Sequence, residues 1–279
     1  MTAKKKVSTV KEPKITYQKL TNKERDKIEW NGFRKGHKFV NYIIDGNVTP
    51  IGMVFVNCKI NVHYDASLFH DCRFVNCDFK YNDCIDFKNC EFVNCRFGKS
   101  KLTYVDFYTC TFEKCDFGTL HYYATNFSKC QAKNCTMKDI RGSDGYGPSG
   151  KISEGSLYDL FDSVVPMKCP RTGSYTAYKK CVLKNGQAVI VVLKIPETAD
   201  RSSAFGNKCR ASEALVVDII NMKTGRRCKT AHSVRHFSFI YTRGEVVKPT
   251  TAYDTNRFNE CAYGIHHFMS RKEAEEYVR

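Results

Sequence analysis

Residues 85–97 read Ile-Asp-Phe-Lys-Asn-Cys-Glu-Phe-Val-Asn-Cys-Arg-Phe, and the five-residue repeat that they begin continues to Met137. In each repeat a small or apolar residue is followed two positions later by an apolar one, mostly phenylalanine, and the other positions are mostly polar. A period of five fits neither a helix, whose period is 3.6, nor simple strand alternation. It indicates a solenoid, in which each unit buries its apolar face only against its neighbours.

The motif resembles that of the pentapeptide-repeat family, with cysteine in the small position and phenylalanine in the large one. The resemblance implies a right-handed quadrilateral β-helix with one pentapeptide per side and four per coil. Residues 20 apart, such as Phe87, Phe107 and Phe127, should then stack in one column. The residues expected to form the core of the repeat are Phe87, Cys90, Phe92, Cys95, Phe97, Phe107, Cys110, Phe112, Cys115, Phe117, Phe127, Cys130 and Cys135.

Upstream the repeat is less regular. The pairs Ala66/Leu68 and Cys72/Phe74 are separated by six residues, and the spacing slips again around residues 82–87. We expect a bulge or an altered corner at each slip. The repeat region predicts about four coils, and hence a rod of about 20 Å at the strand spacing of about 4.8 Å.

The predicted fold class is mainly β: the quadrilateral β-helix is followed by a small β-rich α+β domain. We divide the chain into a basic disordered tail (1–16), an N-terminal cap (17–53), the β-helix (54–141), a glycine-rich linker (142–152) and the β-rich C-terminal domain (153–279). A cap is expected because an open coil edge is a template for aggregation. The linker has four glycines, a proline and two serines within residues 141–150, a composition that does not continue a coil.

The C-terminal segment predicts a hairpin of residues 173–183 and 187–195 around Lys184-Asn185-Gly186, because Asn-Gly between apolar runs favours a tight turn. A short helix is predicted over 153–164 and an alternating strand over 236–241. The tetrapeptide Ser270-Arg271-Lys272-Glu273 predicts a capping box that opens a last helix.

The same segment resembles an uncharacterised domain found after pentapeptide repeats in proteins of phages and large DNA viruses. The resemblance rests on Lys208-Cys209-Arg210-Ala211-Ser212, Tyr241-x-x-Gly244-Glu245 and Asn259-Glu260-Cys261-Ala262-x-Gly264-Ile265-His266-x-Phe268. It implies a viral or phage protein and no known activity. The expected location is therefore the cytoplasm of the infected host cell, or the virion.

The net charge of +16 makes this a basic protein, and the charge is unevenly placed. Residues 1–39 and 151–279 each carry +8, whereas residues 40–150 are neutral. Basic ends attract nucleic acid, anionic lipid or acidic proteins, although lysine-rich tails also serve solubility. The neutral repeat argues against mimicry of DNA. No apolar run approaches the length of a membrane span and no secretory signal is evident, so we expect no membrane association.

Ten of the fifteen cysteines lie between Cys58 and Cys135. The repeat accounts for them, since free cysteine is a small, readily buried residue. Stacked cysteines would be close enough to bridge, but without a signal segment we expect thiols in a reducing compartment.

Candidate site residues come from the C-terminal domain. Cys261 with His266 or His267 is a weak nucleophile–base pair, and Cys209, Cys228, Cys261 and His266 are a weak zinc set without a Cys-x-x-Cys pair. We therefore predict no catalytic residue, cofactor or metal, and a binding protein rather than an enzyme. The predicted binding surface comprises Lys208, Cys209, Arg210, Arg226, Arg227, Arg257, Asn259, Glu260, His266 and His267.

The leading hypothesis is a viral scaffold for protein–protein and host–virus interaction. Its rod would act as spacer and binding surface, while the C-terminal domain engages a host protein, including a defence component, or a virion protein. The first alternative is a nucleic-acid-associated protein that uses the basic tail and the C-terminal domain. The second alternative is a structural component of the virion. A homo-oligomer is also possible, because pentapeptide solenoids often pair end to end.

Overall fold

The computed structural model of the protein describes residues 15–29, 34–62, 67–98, 100–142, 150–153 and 155–277. Up to residue 152 the described chain is a parallel β-solenoid, and a β-rich domain follows it. The predicted tail (1–16) lies almost wholly outside the described residues, as do residues 143–149 of the predicted linker.

The solenoid is built from short strands that pair in parallel with the coil before and the coil after. The helix α1 (Asn22–Glu29) precedes the second strand. The strands are β1 (Gln18–Lys19), β2 (Lys38–Val40), β3 (Tyr42–Asp45), β4 (Val54–Val56), β5 (Lys59–Asn61), β6 (Ser67–His70), β7 (Arg73–Val75), β8 (Asp78–Phe79), β9 (Tyr81–Lys88), β10 (Glu91–Val93), β11 (Lys101–Tyr108), β12 (Thr111–Glu113), β13 (Thr119–Tyr123), β14 (Thr125–Ser128), β15 (Gln131–Lys133), β16 (Asp139–Arg141) and β17 (Gly150–Ile152).

The predicted columns are confirmed. Phe107 pairs in register with Phe87 and with Phe127. Its ring stacks on theirs at centroid distances of 4.9 and 4.6 Å. Phe92 and Phe112 pair in the same way. Every predicted core residue of the repeat is buried except Cys135, which is partly exposed in the last coil.

The number of coils differs from the prediction. One face of the solenoid is a six-stranded parallel sheet in the order β2-β4-β7-β10-β12-β15, where about four coils were expected. The additional strands arise because Phe39 pairs with Phe55, so that residues 38–45, assigned from the sequence to the cap, already lie in the sheets. The early coils are shorter than 20 residues, because Phe39, Phe55 and Phe74 pair in one column at smaller separations.

Neither predicted slip lies where it was expected. The inward residue of β6 is Phe69, fully buried, and Leu68 is 37% exposed. Phe69 lies five residues before Phe74, so the repeat is regular there. The strand β9 pairs in register with β11 along residues 81–88, and the shortened corner precedes it, between Phe79 and Asn82.

Left-handed backbone marks the corners. Asn57, Asn76 and Asn94 have φ of 52°, 54° and 52° and follow successive strands of the six-stranded face. Their amides form a ladder, with Asn76 Nδ2 donating to Asn57 Oδ1 at 3.3 Å and Asn94 Nδ2 to Asn76 Oδ1 at 2.7 Å. Asparagine tolerates this conformation better than other residues with a Cβ atom, which explains the recurring Asn-Cys pairs of the sequence.

Cysteines that follow a left-handed corner residue, such as Thr109 or Lys129, bond to the backbone of the coil before. Cys110 Sγ donates to the carbonyl oxygen of Phe87 at 3.3 Å, and Cys130 Sγ to that of Phe107 at 3.5 Å. All fifteen cysteines are free thiols. The small buried residue of the motif therefore has a hydrogen-bonding role as well as a packing one.

The chain itself covers both ends of the solenoid core. At the first coil, Leu20 and Ile28 of the α1 region join the core. At the last coil, Phe161 of α2 (Ser156–Val164) contacts the rings of Tyr122 and Phe127. Residues after the predicted boundary thus complete the solenoid core, and part of the predicted linker pairs with it as β17. The boundaries of the five predicted segments otherwise stay predictions.

The C-terminal domain contains a six-stranded antiparallel sheet in the order β24-β23-β18-β19-β22-β25 and a three-stranded sheet β20-β21-β26. The helix α3 (Arg271–Glu276) packs on β18. The strands are β18 (Tyr175–Val182), β19 (Ala188–Ile195), β20 (Arg201–Ser203), β21 (Cys209–Ala211), β22 (Ala214–Asn221), β23 (Thr230–Ser233), β24 (Ile240–Thr242), β25 (Val246–Val247) and β26 (Ile265–His267).

Three residues, 243–245, join the two outermost strands of the larger sheet, β24 and β25. Because three residues span little more than 10 Å, this sheet must curl round so that its edges approach each other. A second core lies on its inner face, around Val191, Leu193 and Ile219.

The predicted hairpin is confirmed as β18 and β19, with Gly186 at φ 84° in the turn. The capping box at Ser270 is confirmed as well. The predicted strand 236–241 is wrong for most of its length. A turn in which Phe239 N donates to His236 O places Phe237 against the ring of His232, so only residues 240–242 pair as a strand.

Candidate functional site

Four members of the predicted binding surface are buried. Cys209, Arg210, Arg257 and His267 are at most 4% exposed. A side chain buried to this extent is not available as a surface contact, so the structure does not support these four as surface residues, and whether they take part in binding stays a prediction. Burial of two arginines in one small domain instead indicates a structural role, since charged groups are buried only when paired or hydrogen-bonded.

Arg210 is held by backbone carbonyls. Its guanidinium donates to the carbonyl oxygens of Asp254 and Tyr263, each at 3.0 Å, and of Asn256 at 2.7 Å. It also lies 5.2 Å from the centre of the Tyr253 ring. These contacts fix the long segment between β25 and β26 onto β21.

Arg257 joins the C-terminal domain to α2, the helix that covers the last coil of the solenoid. Its Nε lies 2.7 Å from Asp162 Oδ1 of α2, an ion pair without hydrogen-bond geometry. Its guanidinium also donates to the carbonyl oxygen of Val165. The adjacent Phe258 ring contacts Tyr158 and Phe161 of the same helix. The C-terminal domain and the solenoid therefore share one packed junction.

The two adjacent histidines differ in their partners. The ring of His267 is hydrogen-bonded to Tyr175 Oη at 3.1 Å and to the carbonyl oxygen of Ile265 at 2.9 Å. Nε2 of His266 is buried and has no partner. Burial, together with the nearby ammonium group of Lys179, lowers the pKa of His266 to about 3 and that of His267 to about 4. Both rings are thus neutral near pH 7.

The remaining members do not form one surface. Lys208, Asn259 and Glu260 lie near β21, where Glu260 Oε1 accepts from Gly206 N at 2.8 Å. Arg226 and Arg227 are exposed in the turn after β22, in the other sheet, and Arg227 pairs with Asp218 at 2.9 Å. Whether the exposed members bind a partner stays a prediction.

The cysteines and histidines that the sequence offered as a nucleophile–base pair or as zinc ligands do not lie together in the structure. Cys261 is exposed, and its Sγ lies 3.4 Å from Lys208 Nζ, with no hydrogen bond to His266. Cys209 is a buried free thiol whose Sγ donates to the carbonyl oxygen of Asn207 at 3.7 Å, and Cys228 lies next to Ile219 of the larger sheet. Within the described ranges no group of three or more His, Cys, Asp or Glu residues is placed to hold a metal ion.

Sequence reasoning missed a set of tyrosines on the outside of the solenoid. Tyr104 and Tyr108 of β11 are 55% and 42% exposed. The rings of Tyr104 and Tyr123 lie edge to face at 5.6 Å. Lys129 Nζ lies 3.4 Å from Tyr108 Oη. We call Tyr104, Tyr108 and Tyr123 the tyrosine surface.

Tyr104 also has an unfavourable backbone, with φ of 51° at a corner of the solenoid. The same corner of the neighbouring coils carries Cys84 and Ala124, also at positive φ, and no asparagine. A bulky residue in this region is an outlier that supports a hypothesis of function. The sequence signal was present, since a tyrosine stands where the motif places a polar residue.

A shallow groove of about 570 Å³ lies on the six-stranded face beside the start of α2. Its exposed lining mixes charges, including Arg73, Glu91, Glu113 and Lys133. In the part of the chain that the structure describes, no helix is long and apolar enough to cross a bilayer.

Comparison with protein families gives two matches. The profile of the pentapeptide repeats (8 copies) matches residues 83–118, and that of a family of unknown function (DUF5758) matches residues 165–274. Comparison with the curated proteins gives no match.

Among solved structures, two of trypsin-treated QnrB1, described as a plasmid-mediated fluoroquinolone resistance protein, are similar over 44% of this chain and 68% of theirs. Sequence identity is 14% and 16%, and the TM-score is 0.16 in both cases. So low a score supports no argument about function. The chain thus carries pentapeptide repeats in a β-solenoid of about six turns, followed by a domain that matches a family of unknown function.

Proposed function

We propose that the protein is a non-enzymatic scaffold that binds another protein through the tyrosine surface of its solenoid. The observation that carries this proposal is the exposed, backbone-strained Tyr104 beside Tyr123. Tyrosine is enriched at protein interfaces because it offers a large amphipathic contact at a low cost in conformational entropy. The corner requires a positive φ but not a large aromatic ring, and the ring of Tyr104 is 55% exposed.

The scaffold is suited to this role because it is rigid. Stacked phenylalanines fill the solenoid, and α1 and α2 cover the first and last coils. The tyrosines therefore stand on a preorganised surface, which reduces the entropic cost of binding. Because both ends are covered by the chain itself, end-to-end pairing through an open coil is not needed.

The finer identity of the partner follows from the sequence resemblance. The partner would be a host protein, including a component of a defence system, or a virion protein, and the site of action would be the cytoplasm of the infected cell or the virion. The original expectation that the C-terminal domain makes the contact is less favoured, because several of its predicted contact residues are buried.

Tyr104→Asn tests the proposal without unfolding the chain, because asparagine tolerates positive φ better than tyrosine. The matched control is Lys114→Asn, at another corner of the solenoid with a similar φ of 53°. We expect affinity capture from infected host cells to recover one stoichiometric protein with the wild type and with the control. Tyr104→Asn should lower the affinity by about thirty-fold, as loss of a central interface tyrosine costs about 2 kcal/mol.

Equal capture by wild type and Tyr104→Asn would refute the tyrosine surface as the contact. Recovery mainly of nuclease-sensitive material that is released by salt would favour nucleic-acid association instead. Deletion of residues 151–279 is a poor test, because it would uncover Tyr122 and Phe127 at the end of the solenoid core.

A further inference from the structure

The outer side of the six-stranded face carries valine where the repeat usually places a polar residue. Its first four strands, β2, β4, β7 and β10, each bury a middle phenylalanine and turn the two flanking residues outward. The third residue of all four strands is valine, and we call these residues the valine column: Val40, Val56, Val75 and Val93. They pair in register from strand to strand. The column is therefore a continuous apolar ladder, about 14 Å long at the spacing of paired strands.

The valine column is accessible to solvent. Val40 is 42% exposed, and the other three valines are partly exposed. After β10 the column changes character, because the residues that follow in register are Glu113 of β12 and Lys133 of β15. The solenoid thus accepts a charged residue at this position, and its fold does not require valine there. A contiguous exposed apolar patch is typical of an interaction surface.

The second outward column places opposite charges at the two ends of this ladder. The first residue of β2 is Lys38, and the first residue of β10 is Glu91. Between them lie Val54 of β4 and Arg73 of β7, in register with both. The face therefore has a lysine beside its first valine and a glutamate beside its fourth.

We propose that the valine column is the interface of a homodimer, in which a second copy of this chain packs face to face with its solenoid antiparallel. A two-fold axis that runs parallel to the strands, between β4 and β7, places β2 against β10 and β4 against β7 of the second copy. Val40 then lies on the second copy's Val93, and Val56 lies on its Val75. Four valines cover four valines, which is the self-complementarity that a two-fold interface requires.

Charge favours the antiparallel arrangement. The same two-fold axis brings Lys38 of each copy opposite the second copy's Glu91, so two ion pairs form at the rim of the interface. In a parallel pair, whose axis would run along the valine column, every strand would face its own counterpart. Glu113 would then oppose Glu113 and Lys133 would oppose Lys133, and like charges that face each other are destabilising.

The apolar ladder is short compared with the interface of a stable complex, which buries roughly 800 Å² on each partner. We therefore expect a reversible dimer with a Kd on the order of 10 µM. The valine column lies on a different sheet from the tyrosine surface. The dimer is thus independent of the proposed function, and either can fail without the other.

The test is sedimentation equilibrium of the full-length protein under reducing conditions, at concentrations below and above this Kd. We expect a reversible equilibrium between monomer and dimer. Val75→Lys should weaken the dimer at least about thirtyfold, because it puts a charge at the centre of the interface. The matched control is Leu68→Lys, which makes the same kind of change at a residue that is 37% exposed on another sheet, and it should leave the dimer unchanged.

Charge reversal tests the antiparallel arrangement. Lys38→Glu and Glu91→Lys should each weaken the dimer about tenfold, because like charges would then meet, and the double variant should restore it. Lys38→Glu, at an exposed position, also serves if Val75→Lys fails to fold. A wild-type chain that stays monomeric overturns the proposal and leaves the valine column to a different protein or to residues 1–14. Undiminished dimerisation of Val75→Lys, or a double variant as weak as the single ones, overturns it as well.

Discussion

Replacing Lys114 by asparagine should stabilise the solenoid. Lys114 follows β12 at a corner with φ of 53°, in the column of Asn57, Asn76, Asn94 and Asn134, whose φ angles lie between 52° and 54°. It is the one member of this column without an amide. Lys114→Asn would complete the ladder between Asn94 and Asn134.

Two contributions set the size of the expected gain in stability of Lys114→Asn. A residue with a Cβ atom loses about 1–2 kcal/mol in left-handed backbone, and asparagine recovers part of this by local hydrogen bonding. Each new exposed amide hydrogen bond adds about 0.5 kcal/mol. The ion contact that is lost, between Lys114 Nζ and Glu113 at 3.8 Å, is exposed and contributes about nothing. We therefore expect a gain of about 1 kcal/mol.

The assay is thermal and urea unfolding followed by two probes, because a stacked solenoid does not have to unfold in one step. A gain of this size raises Tm by about 2–4 °C. The control is Lys133→Asn, which removes the same charge from an exposed position of β15. Asparagine is unfavourable in strands, so the control should be neutral or slightly destabilising. A loss of stability in Lys114→Asn, or equal shifts in both variants, would refute the reasoning.

Three further predictions concern buried groups. Asn82→Leu should raise the free energy of unfolding by about 1–3 kcal/mol, because both polar atoms of the Asn82 side chain are buried without partners opposite Leu102; unchanged or lower stability in urea would contradict this. Iodoacetamide should modify exposed Cys84 and Cys261 in the native protein before any buried thiol. Equally fast modification of a core thiol, measured by mass spectrometry of peptides, would contradict this prediction. The pKa of His267 is lowered to about 4 in the folded state from 6.5 in the unfolded state, so the unfolded chain binds the proton more readily. The contribution of His267 to the free energy of unfolding should be complete above pH 6.5 and should fall by roughly 1–2 kcal/mol by pH 5. A flat profile of unfolding free energy between pH 7 and 5 would disprove this prediction.

The solenoid was predictable because its physics is local. Each five-residue unit specifies one strand, one corner and two inward side chains, and the columns of Phe107 and Cys110 followed from this spacing together with the four-sided coil that the family resemblance implies. The errors came where the units were irregular. Leu68 and Phe69 are adjacent apolar residues, and which of them points inward depends on pairing with Phe87. The early coils escaped notice because their lengths differ, although Phe39 still pairs with Phe55.

The candidate sites were far less predictable. Arg210 and Arg257 look like surface charge in the sequence, but carbonyls and a carboxylate brought from distant segments enclose them. Tyr104 looks like an ordinary polar position of the repeat, and only the tertiary structure shows its ring exposed beside that of Tyr123.

The sequence by itself therefore determined the repeat, the stacking of like on like, the Asn-Gly hairpin and the capping box, because each depends on residues close in the chain or at one fixed spacing. Tertiary structure alone decided how many coils form, that α2 closes the solenoid and which arginines are buried. These outcomes depend on contacts between residues up to about 90 positions apart, and no local pattern encodes which distant segment will supply the partner of a charge.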